Sequence, residues 1–425
     1  MNELEKEYRH RLIDDKISKY LKIFGAISIK GPKWCGKTWS SLMYAKSVTY
    51  LTEKSSRDLA KVDPKYIFTE NRPQLIDEWQ LVPSIWDSVR HECDSSRQPG
   101  KFILTSSTTL SKEDSENEVY HSGTGRIAPL KMYPMSLYES GDSTGQVSIT
   151  DMFNDNVKEG YLRKVELDEL AKLLIRGGWP ANIDIEDADI IPKSYIESVV
   201  TKDIHERKDK KRDPNKMRML LKSLARNEST VVGYDTLVKD IEEYETGDEL
   251  IESRQTVADY MGVLDSLYLT NNQEAFSINY RSSKRIGKSV KRHLVDPSLA
   301  CACLDLNVQK LLNDHETFGL LFESLVERDL HIYMDYLDGH LFHFRDNQSG
   351  DEVDSILEFS DGSYAAVEIK LSDGSIEDAK KSLLTFYENV KKKPKFMCII
   401  VGHYEAVIKD PETGIYILPI TALKP

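Results

Sequence analysis

The stretch GPKWCGKTWS, residues 31–40, places glycine, glycine, lysine and threonine at the spacing G-x-x-x-x-G-K-[ST]. Glycines at these positions let a loop wrap so that successive backbone N–H groups point at phosphate oxygens. The Lys37 ammonium can then reach the terminal phosphates, and the Thr38 hydroxyl can ligate Mg²⁺. The pattern predicts a phosphate-binding loop that comprises Gly31, Pro32, Lys33, Trp34, Cys35, Gly36, Lys37 and Thr38.

Short apolar runs alternate with helical stretches around this loop. The stretches that read as strands are FGAISIKG (24–31), SVTYLT (47–52), QLIDEWQ (74–80) and KFILTSS (101–107). Such alternation is typical of an α/β fold, in which helices connect the strands of a parallel sheet. The segment after the loop can begin a helix whose amino-terminal dipole favours phosphates. We therefore expect a P-loop NTPase core over residues 1–145.

Length and composition bound the rest of the chain. At 425 residues it is too long for one compact core, so roughly two to four domains are expected. The formal charge of -13 argues against a surface that binds nucleic acid without specificity. Short apolar runs and the charged segment 1–16 favour neither a membrane span nor a signal peptide. The five scattered cysteines form no CxxC pair, which favours a reducing cytoplasm over a zinc site or disulfide framework.

Two further regions follow the core. Residues 146–214 are helical and charged, and RGGWPAN (176–182) interrupts them, which predicts a helical lid or connector. Residues 215–295 contain three short helical patterns and then the strand-like AFSIN (275–279), which predicts a winged-helix-like domain. A small helical bundle that packs against the ATPase core is the alternative.

A dense basic segment, RSSKRIGKSVKRH (281–293), ends this region and contains almost no acidic residues. Such a segment can neutralise DNA phosphates, which makes DNA a candidate partner. A solvated surface is the alternative interpretation. The residues expected to contact DNA are Lys284, Arg285, Lys288, Lys291 and Arg292.

An acidic pair, Asp77 and Glu78, ends the third predicted strand. Paired with the loop it is a Walker B candidate, in which Asp77 holds Mg²⁺ and Glu78 polarises the attacking water. The next strand ends in three hydroxyl residues, of which Ser106 is a candidate to sense the terminal phosphate; a helix cap is the alternative.

Arg126 is the basic residue best suited to a finger or charge-sensing role. Charge that develops on a transferred phosphoryl group needs a cation supplied in cis or in trans. A surface salt bridge is the alternative fate of this side chain.

Residues 296–425 predict a separate α/β domain with the order α-β-β-β-α-β. Strand alternation and the turn SDGS (360–363) place Asp354 beside Glu368 and Lys370 on neighbouring strands. Two carboxylates can bind Mg²⁺ at a scissile phosphate, and the lysine can orient or deprotonate water. Alternating charges on an exposed sheet face are the competing interpretation.

This order and the D…E-x-K cluster resemble the restriction-endonuclease-like nuclease superfamily, some members of which carry an additional acidic residue where Glu323 lies. The resemblance implies catalytic roles for Asp354, Glu368 and Lys370, with Asp354 and Glu368 as ligands of a nuclease Mg²⁺. A degenerate domain that only binds DNA or a protein is equally open.

Several sequence motifs together resemble those of the bacterial and archaeal AAA-type ATPases that carry a carboxy-terminal domain of unknown function. These motifs are GPKWCGKT, LIDEWQ, FILTSS, SGTGRI and MYPMSLYESGD. GGWPAN, HLVDPSLA and TFGLLFESLVERDL are similar to the same family, so the likeness extends over nearly the whole chain. It implies an AAA-type core that binds ATP and Mg²⁺. AAA-type ATPases often work as rings, so the resemblance leaves a homo-oligomer open.

Two functions fit these patterns. One is a Mg²⁺-dependent ATPase coupled to a DNA-binding or DNA-processing domain. The other is a nucleotide-dependent switch or scaffold, whose carboxy-terminal domain is a degenerate nuclease fold that holds a protein partner.

Overall fold

The computed structural model describes residues 8–96, 98–110, 122–185, 188–205, 212–242, 254–277, 290–346 and 350–425. The chain forms two compact units. Unit 1 comprises residues 1–134 and 263–269, and unit 2 comprises residues 135–262 and 270–425. This division is coarser than the four domains expected from sequence, whose boundaries stay a prediction.

Unit 1 is built on a parallel sheet. In its described part, the five strands are β1 (Ala26–Lys30), β2 (Ser47–Tyr50), β3 (Gln74–Asp77), β4 (Phe102–Ser106) and β5 (Ile127–Lys131). They lie in the order β2-β3-β4-β1-β5, and every pairing is parallel. The described helices that lie wholly within unit 1 are α1 (Ile13–Leu21), α2 (Lys37–Leu42), α3 (Lys54–Val62) and α4 (Ile85–Ser95). The four strands expected from sequence are all present, so the predicted α/β parallel core is confirmed.

Both faces of this sheet are covered, which explains the nearly continuous apolar strands. Along β1, Ala26 belongs to one buried cluster, whereas Ile27 and Ile29 belong to the cluster on the other face. Because β1 lies between β4 and β5, the loop that follows Lys30 leaves from the interior of the sheet rather than from its edge.

Unit 2 contains a larger, mixed sheet. The strands of its described part are β6 (Val147–Ser148), β7 (Gly160–Tyr161), β8 (Glu274–Ala275), β9 (His340–Arg345), β10 (Glu352–Glu358), β11 (Tyr364–Ser372), β12 (Met397–His403), β13 (Ala406–Lys409), β14 (Tyr416–Pro419) and β15 (Leu423–Lys424). Eight of these described strands form one sheet in the order β7-β13-β14-β12-β11-β10-β9-β8.

Helices account for much of the rest of unit 2. They are α5 (Leu137–Ser140), α6 (Ile149–Phe153), α7 (Leu167–Arg176), α8 (Ile190–Thr201), α9 (Pro214–Arg226), α10 (Tyr234–Glu242), α11 (Arg254–Ser266, the end of which belongs to unit 1), α12 (Pro297–Cys303), α13 (Val308–Asn313), α14 (His315–Tyr336) and α15 (Ile376–Asn389). The elements α14, β9, β10, β11, α15 and β12 follow the predicted α-β-β-β-α-β order.

The three helices predicted within 215–295 are α9, α10 and α11. After them, antiparallel bridges join Thr270 to Leu294 and Gln273 to Lys291. Of the predicted strand AFSIN, residues 275–277 are described, and among these only Ala275 is in a strand: β8 covers Glu274–Ala275 and pairs with β9 in the large sheet. The winged helix therefore stays a prediction.

Distant parts of the sequence meet within unit 2. Strand β6 pairs in parallel with β15, and Leu423 lies opposite Val147. The Thr144 N–H donates to the Thr421 carbonyl at 2.7 Å, and the Ser143 hydroxyl donates to the Leu423 carbonyl at 2.7 Å. The first segment of unit 2 is thus completed by residues almost 300 positions later.

Candidate functional site

The loop over residues 31–38, here called the phosphate loop, follows β1 and leads directly into α2. Gly36 has φ 103°, a left-handed conformation that glycine adopts without strain. A Cβ on Gly31 would lie 2.2 Å from the Met132 carbonyl oxygen, so a side chain there has no room. Both motif glycines are therefore required by the local geometry.

The lysine of the loop points into the loop itself. Lys37 Nζ donates to the carbonyl oxygens of Gly31 at 3.0 Å and Pro32 at 2.7 Å, and the residue is buried. The ammonium is thereby held at the concave side of the backbone, where the motif requires it.

An arginine outside the motif supports the same loop. Arg11 is buried, and its guanidinium donates to the Cys35 carbonyl at 2.7 Å and to the Tyr133 carbonyl at 2.8 Å. It thus links the phosphate loop to the segment after β5. The sequence analysis missed Arg11, because it stands alone in a charged segment and belongs to no spacing motif.

Asp77, at the end of β3, is joined to the phosphate loop. Its Oδ1 accepts hydrogen bonds from the Thr38 hydroxyl at 2.8 Å and the Thr105 hydroxyl at 2.7 Å. Burial raises the pKa of this carboxyl, although the two hydroxyl bonds oppose the shift. A buried carboxylate beside a threonine hydroxyl is a suitable pair of oxygen ligands for Mg²⁺.

Glu78 follows with φ 56°, and its N–H donates to the Thr105 hydroxyl at 3.1 Å. Its carboxylate accepts hydrogen bonds from Ser107, at 2.6 Å, and from Gln80. Of the three hydroxyls at the carboxyl end of β4, those of Thr105 and Ser107 therefore contact the acidic pair. The Ser106 hydroxyl instead donates to the Thr108 carbonyl.

Arg126 lies at the wrong edge of the sheet for a finger that acts in cis. It precedes β5, which runs parallel to β1, and Ala26 N–H donates to its carbonyl. The phosphate loop leaves the opposite end of β1, about 15 Å away along the strand. The side chain pairs with Asp94 at 2.7 Å and is half exposed. The alternative, a surface salt bridge, is therefore what the structure has.

In unit 2, the predicted D…E-x-K residues come together. Lys370 Nζ donates to Glu368 at 2.7 Å and to Asp354 at 3.4 Å. Asp354 also accepts the Ile369 N–H at 2.7 Å, and Ser382 donates to Glu368 at 3.0 Å. Burial and the nearby Asp354 charge raise the pKa of Glu368 to about 7.

Three more ionisable residues extend this group: Glu323 and Glu327 from α14, and Lys291. Lys291 Nζ forms an ion pair with Glu323 and another with Glu327 at 2.8 Å. It also donates to the Asp354 carbonyl at 3.2 Å. These six residues, Lys291, Glu323, Glu327, Asp354, Glu368 and Lys370, are called the carboxylate cluster below.

Opposite charges determine the titration of this cluster. Burial would lower the pKa of Lys291, but the charges of Glu323 and Glu327 hold it above its ordinary value. Burial raises the pKa of Glu323 to about 8. Burial would also raise the pKa of Glu327, but the charges of Lys291 and His293 hold it below its usual range.

His293 adds a further cation beside the cluster. Its Nδ1 lies 3.1 Å from Glu228 Oε1, and its Nε2 lies 3.0 Å from Glu327 Oε2. Burial alone would lower the pKa of His293, but these two carboxylates raise it to about 9. The two carboxylates therefore favour the protonated form of the buried ring at neutral pH.

The structure corrects the prediction that Lys291 and Arg292 contact DNA. Both are buried, Lys291 among the carboxylates just described and Arg292 with its Nε donating to the Val232 carbonyl at 3.1 Å. Their charges are used inside the fold. Lys284, Arg285 and Lys288 lie outside the described residues.

The parallel sheet, the glycine-shaped loop and the acidic residue at the end of β3, two strands from β1, are consistent with a P-loop NTPase fold. Residues 24–141 match the family model described as an AAA domain, which supports an AAA-type ATPase core. Residues 167–310 and 318–423 match two domains of unknown function, DUF8612 and DUF4143 respectively. No curated protein matches the chain.

Solved structures resemble the chain at low identity. A Walker-type ATPase of Pyrococcus abyssi is 13% identical with a TM-score of 0.40, over 72% of this chain and 96% of that one. The ORC2 protein of Aeropyrum pernix is 13% identical with a TM-score of 0.32, over 71% and 92%. The RuvB Holliday junction branch migration motor of Thermotoga maritima is 15% identical with a TM-score of 0.25, over 61% and 88%. At these scores the likenesses carry no argument about function.

Two features are absent from the described residues. None of their helices combines the length and apolar character that crossing a bilayer requires. Within the same part of the chain, no three His, Cys, Asp or Glu side chains are grouped so as to hold a metal ion. All five cysteines are described, and each is a buried free thiol.

Proposed function

We propose that unit 1 binds and hydrolyses ATP in a Mg²⁺-dependent reaction. The observation that carries this proposal is the contact of Asp77 with Thr38, which brings an acidic strand end to the threonine of the phosphate loop. If G-x-x-x-x-G-K-T occurred here by chance, its threonine would have no reason to form a hydrogen bond with a carboxylate 39 residues later in the sequence.

The residues present fit the two ligands. Lys37 and the backbone of the phosphate loop would hold the phosphates, and Thr38 with Asp77 would hold Mg²⁺. When bound, Mg²⁺ supplies positive charge that offsets the charge developing on the phosphoryl oxygens. Glu78 is the residue in place to accept a proton from the attacking water, once its carboxylate is released from Ser107.

A direct test measures nucleotide binding and phosphate release separately on the full chain. Lys37→Ala should abolish ATP binding, because it removes the cation inside the loop. Glu78→Gln should retain binding and lose turnover. Equal turnover in Glu78→Gln and the parent would remove Glu78 from the proposed role of base.

The described residues favour a nucleotide-dependent switch or scaffold over a DNA-processing enzyme. Lys370 pairs with Glu368, Lys291 pairs with the neighbouring Glu327, and two of the five expected DNA contacts are buried. A degenerate nuclease fold that holds a protein partner is consistent with both observations.

DNA coupling has a clear experimental signature. If the chain processes DNA, double-stranded, single-stranded or branched DNA should stimulate the ATPase, and binding should weaken steeply with added salt. Neutralising Lys284, Arg285 and Lys288 should then weaken DNA binding. Arg292→Gln should remove no contact with a DNA phosphate, because Arg292 is buried. We expect no stimulation by any of the three DNA forms; stimulation by one would restore the DNA-processing function.

A further inference from the structure

Lys291 lies inside the carboxylate cluster rather than on the surface. Only 4% of its side chain is exposed, and its ammonium contacts Glu323, Glu327 and the Asp354 carbonyl. A lysine ammonium has three donors, and these three acceptors satisfy them all. The side chain is therefore fixed in place, and it enters from a segment outside the D…E-x-K hairpin.

Each of the four carboxylates of the cluster has at least one oxygen bonded to a protein donor. Glu327 Oε1 accepts from Lys291 and from the Ser355 hydroxyl at 2.9 Å. In the E-x-K motif, Glu368 is held by Lys370 and Ser382. A divalent metal needs several carboxylate or carbonyl oxygens turned toward one point, and here those oxygens are turned toward lysines.

The charges within the carboxylate cluster also disfavour a bound divalent metal. The cluster contains four carboxylates, and two lysine ammoniums lie among them, with His293 beside Glu327. In a buried site each carboxylate requires a nearby cation. A protein cation that is covalently attached is present at high effective concentration, so it competes well against a metal that must first lose water.

We propose that Lys291 is the resident cation of the carboxylate cluster. Its ammonium takes the charge-compensating place that Mg²⁺ or Mn²⁺ would otherwise take, and the cluster binds no divalent metal while Lys291 stays there. Lys291 thus determines which cation the D…E-x-K residues accept. All six residues of the carboxylate cluster belong to unit 2, and none of them is among the residues proposed to bind and hydrolyse ATP.

The choice of Lys291 over Lys370 follows from their positions. Lys370 belongs to the same strand as Glu368 and is 26% exposed, as expected for a lysine that accompanies a metal site. Lys291 is the more deeply buried of the two, and it alone pairs with Glu323 and Glu327. Removing Lys291 should leave Glu323 without its cation and Glu327 with only His293, beside Asp354 and Glu368, which share Lys370. A cluster with four carboxylates and too few cations is the condition that attracts a divalent metal.

The test measures Mn²⁺ binding to the full chain without nucleotide. The electron paramagnetic resonance signal of free Mn²⁺ reports how much of the metal is bound. All proteins carry Asp77→Asn, so that unit 1 contributes no metal site. The parent should bind no Mn²⁺ that depends on Glu368. Lys291→Met should gain one Mn²⁺ per chain, and Lys291→Met combined with Glu368→Gln should lose it again. Lys380→Met is the matched control, because Lys380 pairs with Glu377 and Asp410, which do not belong to the carboxylate cluster, and it should gain none.

Thermal unfolding gives an independent readout. Lys291→Met should have a lower Tm than the parent, and Mn²⁺ should raise its Tm but not that of the parent, because a ligand stabilises the state that binds it. A folded Lys291→Met that gains no Mn²⁺ would overturn the proposal. If that variant does not fold, Mn²⁺ binding to the parent is the deciding measurement. Mn²⁺ binding that Glu368→Gln abolishes would refute the proposal that Lys291 is the resident cation, and no Mn²⁺ binding to the parent would support it.

Discussion

The Thr38 hydroxyl donates to Asp77 Oδ1 over 2.8 Å, so the phosphate loop and the end of β3 are joined through one hydrogen bond. The same oxygen accepts the Thr105 hydroxyl from β4. Three segments that are distant in sequence thereby share one carboxylate atom. A substitution in any one of these three segments should therefore alter the hydrogen bonds of the other two.

Thr105 should matter to turnover more than its neighbour does. Thr105→Val keeps the shape but removes the hydroxyl that bonds Asp77 and receives the Glu78 N–H. A hydrogen bond to a charged group contributes about 1.5–3 kcal/mol, so we expect turnover to fall roughly tenfold or more. Ser106→Ala is the matched control, since its hydroxyl contacts neither acidic residue. Equal losses in both variants would contradict a specific role for Thr105.

Ser107 should restrain Glu78 in the nucleotide-free protein. Its hydroxyl donates to the Glu78 carboxylate at 2.6 Å, and Ser107→Ala removes this bond. We expect turnover to change by less than about tenfold while ATP affinity stays as in the parent, because Ser107 contacts the base and not the loop. Phosphate release at saturating ATP measures this. Loss of ATP binding in Ser107→Ala would mean that the residue supports the loop instead.

Arg11 should contribute to nucleotide affinity through the backbone of the phosphate loop. Arg11→Ala removes the donors to the Cys35 and Tyr133 carbonyls. We expect ATP affinity to fall by roughly tenfold, because the loop loses the support that preorganises it. Titration with a fluorescent ATP analogue checks the value, and exposed Arg9→Ala is the control. Since Arg11→Lys restores charge but not the two-pronged geometry, it should recover only part of the affinity.

Arg126 should be dispensable for the activity of a single chain. Its guanidinium pairs with Asp94 at the edge of the sheet opposite the phosphate loop. Arg126→Ala should therefore leave turnover within about twofold of the parent, as for other exposed ion pairs. The assay should be run over a range of protein concentrations. A loss that appears only at high concentration would point to a role in trans, between copies of the chain.

The raised pKa of His293 should make the free energy of unfolding depend on pH. Its pKa is raised from 6.5 to about 9 in the folded protein, because Glu327 and Glu228 outweigh the effect of burial. The stabilisation is fully present below pH 6.5 and is lost as the pH rises through 9; its upper bound is on the order of 3 kcal/mol.

Urea unfolding at several pH values between 6.5 and 9 tests this dependence. His293→Gln should be less stable than the parent at the lower end and should show a shallower decline. Glu323 and Glu368, whose pKa values are raised, add a slope of the same sign in both proteins, so the difference reports on His293. His340→Gln, at an exposed histidine, should keep the parental slope. Parallel curves for His293→Gln and the parent would contradict a charged His293.

The sequence was sufficient where the chemistry depends on local spacing. The phosphate loop is set by residues a few positions apart, and Asp77 meets it because parallel strands end at the same edge of a sheet. Asp354, Glu368 and Lys370 were predictable in the same way, from strand alternation and a tight turn. In each case one segment or one pair of neighbouring strands contains the information.

Elsewhere the decisive contacts are between segments that no local pattern connects. Lys291 belongs to a basic run, and nothing near it in sequence indicates that Glu323 and Glu327 will bury its charge. Arg126 stands in a phrase that resembles a functional motif, but the direction of β5 puts it at the other edge of the sheet. Arg11 reaches carbonyl oxygens, which every residue has and which therefore leave no sequence signal.

The pairing of β6 with β15 has a consequence for biosynthesis. A ribosome makes residues 143–148 long before it makes residues 421–424, at about 5–20 residues per second. Until the later residues leave the exit tunnel, the backbone groups of β6 lack their strand partner. Most of the sequence of unit 1, by contrast, is available early. Nascent chains stalled before residue 421 should therefore contain a protease-resistant first unit beside a second unit that is still waiting for its closing strand.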